Sequence, residues 1–303
     1  MNRRSFMNKS LLSMGSLAAL GIEGIAAPTF KRNAEFSLTV MATNWGFKGD
    51  WDAFCAAAKK EGYDGIEAWL PGVGPKREAM FAALKKYDLS FGLLAGVSEN
   101  DFKAHFERFK RALNTAVEQN PLYVNCHSGR DYFSFAENVQ IILYANELSQ
   151  SSGVPIYHET HRGRILFAAH ICRQFIEEIP ELRLTLDISH WTNVHESLLE
   201  NQAESVKLAL SRTDHIHTRI GHQEGPQVTD PRAPEWAETV KAHFAWWDEV
   251  VKHKSEAGQK LTILTEFGPP HYLPTVPYTQ QPLADQWAIN VHMMKAFRKR
   301  YLG

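Results

Sequence analysis

The chain has 303 residues, 44% of them hydrophobic and 22% charged, with eight Trp and seventeen Phe. That composition supplies enough apolar area for a sizeable core and excludes a disordered polypeptide. A formal net charge of −1 provides no field to gather a phosphate backbone, which argues against nucleic acid as a partner.

The first 27 residues read as a leader. Asn2-Arg3-Arg4-Ser5-Phe6-Met7 places two arginines ahead of an apolar run from Leu11 to Ala27 that closes on small residues, the order of a secretory signal. The adjacent arginines resemble a twin-arginine export signal, which implies a periplasmic protein exported already folded, with any metal loaded beforehand. Ser13, Ser16 and Glu23 interrupt the apolar run, so no stable membrane insertion is expected once the signal is removed. Residues 28–303 are then a single catalytic domain. Cys55, Cys126 and Cys172 are odd in number and lie in apolar contexts, so no disulfide framework is expected.

From residue 36 onward, strand-like runs alternate with amphipathic helical stretches. Predicted strands cover Ser37–Ala42, Gly65–Trp69, Ser90–Leu94, Tyr123–His127, Pro155–His158, Arg183–Asp187, His215–Arg219 and Thr262–Glu266. Predicted helices cover Trp51–Glu61, Arg77–Tyr87, Asp101–Glu118, Ala136–Ser152, Phe167–Glu178, Glu196–Leu210, Glu235–Ala257 and Leu283–Tyr301. Phe102, Phe106, Phe109 and Leu113 show the helical spacing. Glycines after Glu61, Ser152 and Ala257 are plausible helix stops. Eight such units make a (β/α)₈ TIM barrel. An open doubly wound sheet would carry a Gly-rich phosphate turn after its first strand, where this chain has Ala42-Thr43-Asn44-Trp45-Gly46-Phe47.

The residues capable of chemistry fall at the C-terminal ends of these strands: Glu67, His127, Glu159, Asp187, His217 and Glu266. In a barrel those ends share one mouth, where active sites are built. A glutamate or histidine at a strand end has an ordinary structural explanation when taken alone. Together, two glutamates, an aspartate and an imidazole from four successive strands can hold one divalent cation, and mixed oxygen and nitrogen donors suit Mn, Co, Zn or Mg.

Four segments carry a family resemblance: Tyr157-His158-Glu159-Thr160-His161-Arg162, Leu186-Asp187-Ile188-Ser189-His190-Trp191, His215-Ile216-His217-Thr218-Arg219 and Leu264-Thr265-Glu266-Phe267-Gly268. They resemble the strand ends of the xylose-isomerase-like TIM barrels, the group of sugar isomerases and epimerases that also contains endonuclease IV. The resemblance runs the length of the domain, with its sharp motifs in the C-terminal half. It implies Glu159, Asp187, His217 and Glu266 as metal ligands, and His190 as a substrate-binding histidine. Arg219 and His222 lie near the place of a substrate-gripping basic residue. Glu67 and His127 are further candidates for substrate contact, and Arg162 suits an acidic or phosphorylated group.

The resemblance implies a sugar isomerase or epimerase acting by proton transfer through an enediolate, with Glu159 and Glu266 as base and acid. Two alternatives compete: a lyase or hydrolase on keto-glycosides, and a non-catalytic sugar-binding barrel. The partner in each case is a small sugar or glycoside. Trp45, Trp69, Tyr132 and Trp191 are candidates for stacking on a sugar ring or for packing. The stretch Asp214–Arg232 lacks helical pattern and is expected to cover the pocket, with Arg219, His222 and Gln227 facing substrate. An endonuclease would need further ligands and a basic groove, which the charge does not supply.

Overall fold

Each predicted strand pairs in parallel with the strands before and after it, and the last returns to the first. The computed structural model describes residue 25, residues 27–29 and residues 31–303; the predicted leader lies outside the described residues apart from residues 25 and 27. In chain order the elements are β1 Ser37–Thr43, α1 Trp51–Glu61, β2 Gly65–Trp69, α2 Pro75–Lys86, β3 Ser90–Gly96, α3 Phe102–Val117, β4 Val124–His127, α4 Phe135–Ser152 and β5 Ile156–Glu159. There follow α5 Ala169–Glu178, β6 Leu184–Leu186, α6 Ser189–Val194, α7 Ala203–Ser211, β7 Thr213–His217, α8 Ala237–Glu256, β8 Lys260–Thr265 and α9 Gln286–Tyr301. The strands form a closed barrel in sequence order, sealed by a six-residue register between β1 and β8 from Ser37↔Lys260 to Ala42↔Thr265.

Local chemistry sets the element ends. Asp50 caps α1 by accepting from the Ala53 amide, and Gly62 ends it at φ +99°, a conformation that costs glycine little. Ser134 and Glu137 form a reciprocal capping box at the start of α4. The predicted helix from Glu196 starts only at Ala203, because Glu196 and Leu199 adopt positive φ of 47° and 65° and break the helical path. The short α6, which carries His190, has too few residues for a periodic signal.

Side chains two apart on a strand share a face. On the outer face, residues such as Val40, Ile66, Leu93, Ile216 and Ile263 pack beneath the helices in one continuous core. The inner face is different. Met41, Tyr123 and Leu264 form a small separate apolar cluster with Tyr157 against it, flooring the lumen. Above that floor the inward positions are polar: Glu67, Asn125, Thr185 and His215 are all fully buried. One pleat nearer the mouth come His127, Glu159, Asp187, His217 and Glu266. Cys55, Cys126 and Cys172 are free and buried. No helix among the described residues is long and apolar enough to cross a membrane.

Candidate active site

Successive strands deliver their inward-facing C-terminal residues to a cavity of about 470 Å³ at the barrel mouth, within the size range of small-molecule sites. His127, Glu159, His161, Arg219 and Glu266 supply its polar wall, and Trp45, Trp69 and Tyr272 its aromatic wall.

The four expected metal ligands lie together. Donor atoms of Asp187, His217 and Glu266 fall within 4.8 Å of one another, as do those of Glu159, Asp187 and His190. His217 links the two groups: its Nδ1 is 2.8 Å from Glu266 Oε2 and 3.9 Å from Glu159 Oε1. Its other nitrogen, Nε2, lies 3.2 Å from Glu67 Oε1. A carboxylate behind one imidazole nitrogen fixes the ring and leaves the opposite nitrogen to a cation, the support typical of metal-ligating histidines. Asn125 reinforces this arrangement by donating to Glu159 Oε2 at 2.7 Å.

The electrostatics also favour a cation. Burial and the neighbouring carboxylates Glu266 and Glu159 push the Asp187 carboxyl up, against the pull of Arg219. Burial opposes charge on His217, yet Glu266, Glu159 and Glu67 hold its pKa well above the ordinary value. Burial likewise opposes ionisation of Glu159, but His127 and His217 hold its carboxyl low. Three carboxylates and an imidazole are a donor set of oxygen and nitrogen that fits one divalent ion.

Arg219 occupies the opposite side of this group. Its Nη2 bonds Asp187 Oδ2 and donates to His190 Nε2 at 2.8 Å, and its Nη1 is 3.5 Å from Glu266 Oε2. A guanidinium can only donate, so His190 accepts at Nε2 and carries its proton on Nδ1. Burial first, then His161 and Arg219, keep the His190 pKa well below its ordinary value. The guanidinium also lies 4.6 Å over the Tyr272 ring.

Several expected substrate contacts are set back from this cavity. Glu67 is fully buried one pleat below the mouth, with Oε2 3.0 Å from His215 Nε2; the mouth position on β2 goes to Trp69. Burial raises the Glu67 pKa, but His217 and His215 override it and hold the carboxylate ionised. His190 is fully buried behind His161, 3.9 Å ring to ring. Arg162 does not line the cavity; it donates to Asn193 at 3.3 Å and its guanidinium lies 5.3 Å from the centroid of the Tyr272 ring. His222 turns away into a backbone turn with Gly225 and packs on Trp236. Gln227 clamps the segment that follows β8, accepting from the Gly268 amide at 2.7 Å and donating to its carbonyl at 3.2 Å. Of the expected loop contacts in Asp214–Arg232, Arg219 lines the cavity. Trp191 is buried packing, with its indole N–H on the Leu166 carbonyl.

Asn125 and Tyr272 carry no motif that marks them in the sequence. Asn125 had one signal, a polar residue in a strand two positions before His127. Tyr272 comes from the irregular segment between β8 and α9, where nothing periodic fixes its position.

The closed barrel with a polar mouth defines a TIM-barrel enzyme-type site. A family model for the xylose isomerase-like TIM barrel matches residues 55–224, and the chain belongs to that family. No curated protein matches the chain in sequence. Among solved structures it is similar to the 3-keto-D-glucoside 4-epimerase YcjR from E. coli, with TM-score 0.55 and 13% identity over 87% of this chain and 100% of that one. It is also similar to an AP endonuclease, family 2, from Brucella melitensis, with TM-score 0.54 and 12% identity over 77% and 93%. A probable 3-DHS dehydratase, AsbF, from Bacillus anthracis gives TM-score 0.54 and 14% identity over 86% and 98%. At these identities the likeness establishes the fold.

Proposed function

We propose that this protein is a divalent-metal-dependent isomerase or epimerase of sugars or sugar glycosides, acting at a carbon next to a carbonyl. The observation that carries this reading is the clustering of Glu159, Asp187, His217 and Glu266 at the barrel mouth, where Glu159 and Glu266 line the cavity and both face His217 Nδ1. Those four residues would hold the ion, for which Mn, Co, Zn and Mg are the candidates. When bound, such an ion polarises a carbonyl oxygen and favours loss of the neighbouring proton.

The chain's own groups supply the rest. Glu159 and Glu266 each present a carboxylate oxygen to the cavity, so one can take a proton from carbon and the other return one. Glu67 keeps the His217 ring oriented. Arg219 brings a fixed positive charge to the cavity wall, suited to an oxygen that gains negative charge. Trp45, Trp69 and Tyr272 offer flat faces to the apolar side of a sugar ring. The name of the keto-glucoside epimerase and the family's name favour sugars as substrates. A lyase or hydrolase on keto-glycosides would use the same proton-abstracting carboxylate, and the exposed Trp69, 49% accessible, favours a substrate that extends beyond one ring. Residues 1–27 would direct the barrel of residues 28–303 to the periplasm, which fractionation of a tagged full-length chain tests.

Incubation with ketoses and keto-glycosides in deuterium oxide, followed by NMR, tests the chemistry. Deuterium should enter at the carbon next to the carbonyl, and Glu159→Gln or Glu266→Gln should slow this by about 10²–10⁴-fold. Full exchange in both variants would remove the two glutamates from catalysis.

A further inference from the structure

A second cavity of about 440 Å³ adjoins the mouth, between α2 and α3. Trp69 and Leu94 line both cavities. The Trp69 indole reaches across the end of β3: a Cβ added to Gly96 would meet it at 3.1 Å and His127 Cβ at 2.9 Å. Its ring stands edge-on to His127 at 5.4 Å. Trp69 is therefore the shared wall, with the mouth on one side and the outer groove on the other.

The groove has an apolar wall and a basic rim. Leu70, Ala95 and Ala112 join Trp69 and Leu94 along its length, while Arg77, Arg108 and Arg111 border it. No carboxylate lines it among the described residues. Arg77 is anchored by its Nε on the Pro71 carbonyl at 2.7 Å, which leaves its terminal nitrogens for another acceptor. Arg108 is paired with Glu99, whereas Arg111 has no ion pair among the described residues. Two arginines with no carboxylate at ion-pair distance among the described residues, beside exposed indole, favour a ligand with a flat apolar body and an anionic end.

We propose that this groove is a second substrate subsite, which takes an apolar, anionic substituent of a glycoside whose sugar ring sits in the mouth. This rests on the reading of the mouth as a sugar site and narrows its substrate class to glycosides of aryl or similar groups bearing a carboxylate. Trp69 supplies the face on which the substituent lies. Arg77 and Arg111 meet its charge. Because neither Glu159 nor Glu266 lines the groove, its contacts bind the substituent and leave the reacting carbon to the mouth.

Calorimetric titration of the full chain with phenyl β-D-glucopyranoside and 4-carboxyphenyl β-D-glucopyranoside tests this. The carboxylated glycoside should bind about tenfold more tightly, roughly one charge-assisted contact. That preference should vanish in R77Q/R111Q, which changes one half-buried and one exposed arginine and should leave the fold intact by circular dichroism, and it should shrink in high salt. Equal binding of the two glycosides overturns the groove assignment while leaving the mouth as a sugar site. If neither glycoside binds, the sugar reading fails, and sodium benzoate then decides the groove alone. A benzoate-induced shift of the Trp69 indole resonance, absent in R77Q/R111Q, supports an anion subsite. No shift overturns it.

Discussion

Glu67 shows how a strand's alternation can hide a residue's role. It stands on the inward face of β2, as the sequence pattern indicates, but Trp69 two residues later takes the mouth position. One pleat of depth converts a substrate contact into a buried carboxylate that holds two imidazoles, 3.0 Å from His215 and 3.2 Å from His217. Glu67→Gln should therefore lower metal affinity by about 10–100-fold, read by competition with a chromophoric chelator, while secondary structure stays unchanged. Unaltered affinity would make Glu67 a packing residue only. His217→Ala should remove the ion at stoichiometric loading, and full retention would displace it from the ligand set. The residues at the strand ends were legible because a charge after an apolar run is costly unless paired or metal-bound. Tyr272 was not legible, since its place depends on the path of an irregular segment.

At the scale of elements, the segment after β7 illustrates what fixes Arg219. Two residues of α8 grip its backbone: Thr239 Oγ1 donates to the Gly221 carbonyl at 2.8 Å, and His243 Nε2 accepts from the Gly221 amide at 3.2 Å. His243 Nδ1 donates to the Thr239 carbonyl at 2.8 Å, so both ring nitrogens are committed in the neutral form. Burial lowers the His243 pKa to about 4, below the roughly 6.5 of an unfolded histidine. Between those values the unfolded chain binds more protons than the native one. This contribution to stability is thus complete above about pH 6.5 and lost as pH falls toward 4, by up to about 1.4 kcal/mol per pH unit. The urea midpoint should fall across that window, and fall less steeply in His243→Gln. Identical slopes in the two proteins would show that His243 does not carry the effect. The helix periodicity placed α8 correctly within two residues at each end, but nothing in it announced that His243 faces a loop backbone.

For the whole molecule, the eight-fold alternation of strand and helix was readable because each unit is short and bounded by caps or glycine stops. Closure follows from the β1–β8 register, which brings residues more than 200 positions apart into one mouth. The strand-end positions of Glu159, Asp187, His217 and Glu266 are visible in the sequence, and the family resemblance implies them as one ligand set. The depth ordering within the lumen was less accessible, since it depends on where each strand ends by a single residue. The long-range arrangement also explains why three buried carboxylates and an imidazole are tolerated at the mouth: they share Arg219, Asn125 and the histidines.

Elemental analysis of the purified protein before and after chelation, paired with thermal melting, tests the metal site most directly. About one divalent transition metal or magnesium ion per chain is expected, with a melting temperature that falls on stripping and recovers on reloading. A protein that carries no such ion and shows no thermal response to added Mn, Co, Zn or Mg would contradict it.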